Sequence, residues 1–441
     1  MNEAFLDNVK AAHFIGIGGI GVSAIARMML ERGVLVSGSD RAPSLVTEKL
    51  TALGAKIFFG HDAAHLPEKL DLVVYSPAVP DENPELHTAR ERGVSTYSYP
   101  EALGMISRGM RTVAVAGTHG KTTTTAMIAE VLVGAEKSPT VIVGSLLKKT
   151  GSNFIAGTSD FFVVEACEYK RSFINLSPEI LVITNIDNDH LDYYGSIDGI
   201  QQAFAEMVMK VPASGAVVCD PSDSRVAPVL KNAVAQIVDY TKENLSIQLA
   251  VSGEHNIRNA RAALAVSRLL GVEEAEAVNL LAKFEGTWRR MENKGTTTSG
   301  ALVYDDYAHH PTEIKATLQG FRAKYPEGRI RVVFQPHLYS RTKLLLNDFA
   351  QSFSDANEVI VAPIYAAREA SDPTITAEIL AQRIVDEQKI PGLRVWAMLD
   401  FLAIETYLRD TAEKGDIVIT MGAGDIFKIG EALTESKKVL Q

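Results

Sequence analysis

The stretch Gly117-Thr118-His119-Gly120-Lys121-Thr122-Thr123 holds the residue types that handle a nucleoside triphosphate. Gly117 and Gly120 let the backbone wrap tightly and turn its N–H groups inward. Lys121 can reach the outer phosphates, and the Thr122 hydroxyl can ligate Mg2+. The spacing departs from the standard phosphate loop: position 115 is Val, so the two glycines stand three apart. An ordinary strand-to-helix turn with a surface lysine would need no such run, and the stretch is read as an ATP or GTP site. Mg2+ is a hard cation that favours oxygen ligands and bridges nucleotide phosphates with one or two protein groups. Thr122 and Glu165 fit that need. His190 is the less usual candidate, for a second metal or for orienting one through water. A second glycine cluster, Gly16-Ile17-Gly18-Gly19-Ile20-Gly21, has Asp40 about 20 residues beyond it, the pattern of a dinucleotide-type fingerprint. Asp40 could hold a ribose hydroxyl of NAD or of another nucleotide, so the ligand stays open. In the last third, Tyr307, His309, His310, His337 and Arg341 recur near strand ends. Arg341 can grip a carboxylate bidentately, and His337 could orient or desolvate an incoming amine.

These groups need strands and helices to hold them. Thr112-Val113-Ala114-Val115-Ala116 reads as a strand feeding the phosphate loop, and Thr124 to Val131 as the helix that follows. A helix N-terminus there adds partial positive charge where phosphate would sit. Around the other glycines, residues 11–15 predict a strand, 22–30 a helix and 34–40 a second strand ending in Asp40. Residues 71–78 predict a strand ending in a small-residue loop at Ser76, a lip of the same cleft, with Asn83-Pro84-Glu85 as a turn. Residues 161–167 and 180–186 are apolar strands, and 252–270 leads into an alanine-rich helix. Strands are also predicted at 303–306, 330–334, 358–363 and 416–421, with Pro311 in the first turn of a helix. Apolar strands alternating with helices imply parallel α/β sheets, whose ligands sit at the carboxyl ends of strands. Glu165, Asn185 and His190 should therefore share an edge with Lys121.

Length and composition set the bounds. At 441 residues the chain exceeds one ordinary core, and 46% hydrophobic with 22% charged residues is globular composition. A net charge of −10 with no basic tail argues against nucleic-acid binding. Two cysteines, Cys167 and Cys219, form neither a disulfide framework nor a metal-ligand spacing, which suits a reducing compartment. Residues 1–10 lack the pattern of a secretory signal, and no apolar run reaches membrane-spanning length. A cytoplasmic monomer or homodimer is expected.

Taken together the motifs resemble the Mur ligases of peptidoglycan synthesis. The carriers are Gly16 to Gly21, Gly117 to Thr123, Thr184-Asn185-Ile186 with Asp189-His190, and Gly253 to Asn259. They continue with Asp305-Asp306-Tyr307-Ala308-His309-His310-Pro311-Thr312-Glu313, Gln335-Pro336-His337 with Ser340-Arg341-Thr342, and Ile364-Tyr365-Ala366-Ala367-Arg368-Glu369. The match spans nearly the whole chain in the family's order, and the histidine inside the phosphate loop points to the branch that adds alanine.

The resemblance implies an α/β chain of three domains: a Rossmann-like UDP-sugar domain over 1–108, a central phosphate-loop ATPase-type domain over 109–286, and a Rossmann-like amino-acid domain over 287–441. Gly16, Gly18, Gly19 and Gly21, with Asp40 and Ser76, would then serve UDP rather than NAD. ATP·Mg2+ would lie on Gly117 to Thr123, with Thr122, Glu165 and His190 at the metal and Asn185 close by. Asn256 and Asn259 match positions near the adenine, Asp305 one near the ribose, and Arg290 is assigned to the nucleotide as well. Tyr307, His309, His337 and Arg341 would meet the amino acid. The implied reaction joins L-alanine to the lactyl carboxylate of UDP-N-acetylmuramate through an acyl phosphate, with the last domain closing to keep water away, and Lys121, His190, His337 and Arg341 as its catalytic groups. Two departures stand out. The segment between Tyr240 and Gly253 is short for the family, so a peripheral hairpin should be missing, and Leu338 stands where some members carry arginine. Three alternatives remain at this point: a recycling ligase that adds a whole peptide, a nicotinamide-dependent dehydrogenase built on the Gly16 fingerprint, and a non-catalytic sugar-nucleotide sensor.

Overall fold

A computed structural model describes residues 8–244, 249–251, 253–367, 369–388, 390 and 392–434. Ser252 and Arg368, named above, lie outside the described residues, as does part of the segment between Tyr240 and Gly253. The chain divides into two compact units. One comprises Met1–Gln248 with Arg258–Phe284, the other Leu249–Ile257 with Glu285–Gln441.

The first unit contains two sheets. Strands β1 (Ala11–Ile15), β2 (Leu35–Asp40), β3 (Lys56–Phe59), β4 (Leu72–Tyr75) and β5 (Ser95–Ser98) form a parallel sheet in the order β3-β2-β1-β4-β5. Strands β6 (Arg111–Ala116), β7 (Thr140–Leu147), β8 (Ser152–Ile155), β9 (Phe161–Glu165), β10 (Ile180–Ile183), β11 (Ala216–Cys219) and β12 (Gln236–Asp239) form the second, in the order β12-β11-β10-β6-β9-β7-β8. Among the described residues only β7 and β8 pair antiparallel there. β6 lies in the middle with Val113 to Ala116 fully buried, as a central parallel strand covered on both faces must be. One apolar cluster runs through both sheets, from Phe14 and Ile25 to Phe162 and Phe204. That shared core is why two sheets make one compact unit. The helix Tyr99–Ser107 contributes, with Gly104 pressed so close to the Asn175 carbonyl that a methyl there would stand 2.4 Å from it.

The second unit is built on β13 (Glu292–Thr296), β14 (Leu302–Asp306), β15 (Arg329–Phe334), β16 (Glu358–Val361), β17 (Arg394–Ala397) and β18 (Asp416–Met421), ordered β13-β14-β18-β15-β16-β17. β13 is the antiparallel edge. Apolar clusters cover both faces, one around Leu318, Phe321 and Phe349, the other around Ile404, Leu408 and Ile429. Inside the sheet Arg331 is fully buried, and its guanidinium bonds Glu358 at 2.8 Å and Asp416 at 3.0 Å.

Asn83-Pro84-Glu85 starts a helix rather than a turn. The Asn83 Oδ1 accepts the N–H groups of Glu85 (3.0 Å) and Leu86 (3.1 Å), and Pro84 takes the first helical position of Pro84–Glu91. Such a cap contributes about 1 kcal/mol. Pro311 opens the helix Pro311–Lys324, where Glu313 accepts the His310 N–H at 3.3 Å. After β12 the described residues hold a short 3-10 turn, Tyr240–Lys242, and no further strand before the helix Glu254–Leu269. Among the described residues no helix is long and apolar enough to cross a membrane.

Candidate active site

Register brings the second sheet's loops to one edge. Val115 pairs with Glu165, and Ala116 pairs with Ile183, so the segments after β6, β9 and β10 leave side by side. The loop after β6 wraps tightly. The Thr118 N–H donates to the Asn185 carbonyl at 3.0 Å, and the His119 N–H donates to Asn185 Oδ1 at 3.0 Å. The Asn185 amide and the Thr184 hydroxyl both donate back to the His119 carbonyl, at 3.0 and 2.6 Å. Asn185 therefore shapes the loop. Close packing explains Gly117: a methyl there would stand 1.9 Å from Thr184 Oγ1. Gly120 caps the helix Lys121–Gly134 in the left-handed region at φ +82°, against the Asn259 side chain. The helix is buried nearly all round, Thr122 to Thr125 included, which fixes its N-terminus under the loop.

Lys121 turns back over this loop. Its ammonium donates to the carbonyls of Gly117 (2.5 Å) and Thr118 (2.9 Å) and to Glu168 (3.0 Å). Burial pulls its pKa down, but the negative charges of Glu168 and Glu165 oppose that, and it is pushed up to about 12. The group is a cation throughout the physiological range. Thr122 donates to Glu165 Oε1 at 3.0 Å, while Oε2 accepts the Gly144 N–H at 2.7 Å. A hydroxyl beside a carboxylate is the oxygen donor set a hard divalent cation takes. His190 stands in the left-handed region at φ +54°, 3.9 Å from Glu168 and 3.7 Å from Asp189. His119 faces Asp187 at 3.3 Å.

The glycine cluster forms a second cradle in the same unit. The Gly16 and Ile17 N–H groups donate to the Ser39 carbonyl (2.8 and 3.0 Å), and Gly18 N–H donates to Asp40 Oδ2 at 2.8 Å. Ser76 lies against Gly16, and Gly19 caps the helix Ile20–Glu31. Gly16, Gly18, Gly19, Asp40 and Ser76 thus meet at the carboxyl ends of β1, β2 and β4. Gly21 faces elsewhere: a methyl on it would strike the Tyr99 ring at 2.5 Å, so its smallness answers a packing demand inside the protein.

In the second unit the ends of β14 and β15 carry an aromatic and cationic group. His309 Nδ1 bonds the Tyr307 carbonyl at 3.0 Å, and its ring lies 5.6 Å from His337. His337 stacks on Tyr365 at 5.8 Å, and Arg341 reaches His337 Nδ1 at 3.2 Å. The Arg290 guanidinium lies 5.2 Å from the Tyr307 ring and 3.9 Å from Glu313. Burial raises the Tyr307 pKa, against the lowering pull of Arg290, Arg289 and Arg341. Asp305 is the residue expected beside a ribose. It is fully buried, with Oδ2 on Arg289 at 2.7 Å and Oδ1 on Thr420 at 2.6 Å, so both oxygens are committed inside the protein. Burial pushes its pKa up against the opposing pull of Arg289. Asp306 beneath it is pushed up by burial to about 6, with Arg290 and the Met291 and Ala308 N–H groups opposing. Asn256 is buried in this unit and Asn259 in the other.

Sequence reasoning missed Glu168, Arg289 and Tyr99 as supporting residues. Glu168 had a signal, lying three residues past Glu165 where β9 runs out into the loop edge. Tyr99 had none.

Matches to known families and proteins agree with this geometry. Residues 11–111 match the catalytic domain of the Mur ligase family, 115–245 the Mur ligase middle domain, and 289–424 the Mur ligase glutamate ligase domain. The chain belongs to the Mur ligase family. It is 41% identical to the UDP-N-acetylmuramate–L-alanine ligase of Clostridium acetobutylicum, over 96% of this chain and 97% of that one. It superposes on the UDP-N-acetylmuramate-alanine ligase structure from Thermotoga maritima with a TM-score of 0.79 at 29% identity, covering 96% and 98% of the two chains. A murein peptide ligase structure from Psychrobacter arcticus shares the fold, with a TM-score of 0.69 at 24% identity over 96% and 98% of the chains.

Proposed function

We propose that this chain joins L-alanine to the lactyl carboxylate of UDP-N-acetylmuramate with ATP, in peptidoglycan precursor synthesis. The observation that carries the reading is the cradle of Gly117 to Lys121, set beside the Thr122–Glu165 oxygen pair, in one unit with the Gly16–Asp40 cradle. The alanine-adding relatives at about 40% identity favour alanine as the amine. The boundaries 1–108, 109–286 and 287–441 would then separate UDP-sugar, ATP and amino-acid functions. Such a reaction belongs in the cytoplasm, where its nucleotide substrates are made.

The chemistry follows from charge. A carboxylate is a poor acyl donor until a lactyl oxygen attacks the γ-phosphorus and ADP departs, leaving an acyl phosphate. Two anions must meet in that step, and the Lys121 ammonium offsets their repulsion. The helix N-terminus at Lys121 adds backbone N–H groups aimed at phosphate. Mg2+, held by Thr122 and Glu165 with His190 nearby, would supply further neutralisation of phosphate charge. The alanine nitrogen then attacks the acyl carbon, loses a proton, and the tetrahedral intermediate expels inorganic phosphate. Arg341 is the proposed partner of the amino-acid carboxylate, with His337, Tyr307 and His309 around the amine. On this reading Gly16, Gly18, Gly19 and Asp40 hold the UDP moiety. Asn256, Asn259 and Arg290 hold the nucleotide, and Asn185 shapes its loop.

The test is phosphate release with UDP-N-acetylmuramate against free amino acids and an alanine-headed tripeptide. Preference for alanine is expected. Preference for the tripeptide would make this a recycling ligase, and tight NAD binding without UDP-sugar binding would return the chain to the dehydrogenases.

A further inference from the structure

Lys121 has a buried counter-ion that the reaction outlined above leaves without a task. Both Glu168 carboxylate oxygens lie 3.0 Å from its Nζ, and the Glu168 side chain is 3% exposed. An ammonium has three hydrogens. Here the carbonyls of Gly117 and Thr118 and the Glu168 carboxylate take them all. A phosphate oxygen that binds Lys121 must displace one of the three, and only Glu168 competes with it charge for charge. The backbone that carries this carboxylate is tied down at its own carbonyl. The Tyr194 hydroxyl and the Arg171 N–H both donate to the Glu168 carbonyl. Lys170 and Arg171, which follow, are consecutive non-glycine residues in the left-handed region, at φ +50° and +58°. Such an arrangement persists only where the surroundings impose it.

We propose that Glu168 is a positioning residue for Lys121: its carboxylate holds the ammonium against the loop and competes with the nucleotide's phosphates for it. This inference rests on the reading of Gly117 to Thr123 as an ATP site. The competition has a purpose in catalysis. An ammonium that bound ATP and the transition state equally well would deepen the ground state without speeding the step. A resident carboxylate that yields Lys121 only as charge builds at the breaking phosphate bond offsets the ground-state gain and leaves the interaction to the transition state.

The test is binding of a non-hydrolysable ATP analogue by calorimetry, with metal chelated so that the readout is independent of turnover. Glu168→Gln should lower the analogue's Kd about tenfold, within the usual range of site coupling. The same change is then made in a Lys121→Ala background. The proposal requires the gain in affinity to be at least three times larger with Lys121 present than without it. Any smaller ratio, or a Glu168→Gln Kd equal to or weaker than wild type, overturns it. If thermal melting shows Glu168→Gln to be unfolded, Glu168→Asp, which keeps the charge but draws it back from Lys121, carries the same test with the same threshold. A wild-type chain that binds no analogue even with Mg2+ restored would refute the ATP-site reading, an outcome distinct from failure of the ratio.

Discussion

Gly120→Ala separates what the loop's backbone costs from what its contacts cost. Gly120 sits at φ +82° and ψ −5°, where an L-residue is strained by roughly 1–2 kcal/mol. The added methyl would also lie 2.5 Å from Asn259 Oδ1, and Asn259 is itself buried. Pushing that amide aside adds about 1–3 kcal/mol of overpacking, for a total of about 2–5 kcal/mol. Gly33 in the same unit is the control. It has nearly the same φ, +77°, with nothing within 4 Å of a built methyl, so Gly33→Ala carries only the backbone cost of roughly 1–2 kcal/mol. Thermal melting of both variants, with nucleotide-analogue binding measured alongside, makes the comparison. Gly120→Ala should lower the Tm more than Gly33→Ala and weaken nucleotide binding at least about tenfold, because about 1.4 kcal/mol of misdirected N–H contacts suffices for that factor. Gly33→Ala should leave nucleotide affinity unchanged. Equal losses of Tm, with nucleotide Kd unmoved in both, would refute the argument that Asn259 and the loop are packed as one piece.

Lys121→Ala should abolish phosphate release while leaving UDP-sugar binding within about twofold, since the Gly16 cradle does not touch Lys121; calorimetry with the UDP-sugar checks this, and equal loss of both functions would mean the cradles are wrongly assigned. Arg341→Ala should raise the KM for the amino acid about tenfold or more with a smaller effect on kcat, as loss of a charged carboxylate grip does; an unchanged KM removes Arg341 from that role. Glu85 is a fully buried carboxylate which burial pushes up but His13 and the hydrogen bonds of Ser39 and His65 pull down to about 2. A depressed acid stabilises above its unfolded pKa, so this contribution of about 3 kcal/mol is present above pH 4.5 and lost as pH falls towards 2. Denaturant unfolding of Glu85→Gln should accordingly show a shallower acid limb than wild type over that window; parallel limbs would show that Glu85 does not carry it.

Elements were legible where the sequence states its own local geometry. The β-branched run from Thr112 to Ala116, ended by Gly117, reads as a buried strand, and the glycines around Thr118 and His119 as a tight wrap into a helix. Asn83-Pro84 was misread as a turn because Asn, Pro and Glu suit a helix cap as well as they suit a turn. A helical period in the residues that follow would decide between them, but Pro84–Glu91 is only 8 residues long, and Leu86 and Ala89 are its only buried apolar positions. Two apolar positions three apart do not establish a period. The compact unit that joins two sheets was not legible, because the apolar residues of Tyr99–Ser107 do not say which sheet they will cover.

Charged residues set the sharper limit, since a sequence gives a charge its type and leaves its partner to topology. Arg289 and Asp305 are sixteen residues apart in a stretch rich in candidate ligand contacts; only the pairing of β14 with β18, which brings Thr420 beside Asp305, turns them into a buried bracket. Glu165, read as a metal ligand, and Glu168, not singled out, stand three residues apart at and just past the end of one strand. The fold gives them different partners, Thr122 for the first and Lys121 for the second. That division follows from where the chain turns after β9: Ala166 is still held to the Val115 carbonyl at 2.9 Å, and by Glu168 the backbone has bent over the phosphate loop. A carboxylate on the strand faces the threonine of the neighbouring helix, and one on the bend faces the lysine. The difference between a metal-side acid and a lysine-side acid therefore comes from the last residue of strand pairing, which no residue type in the sequence announces.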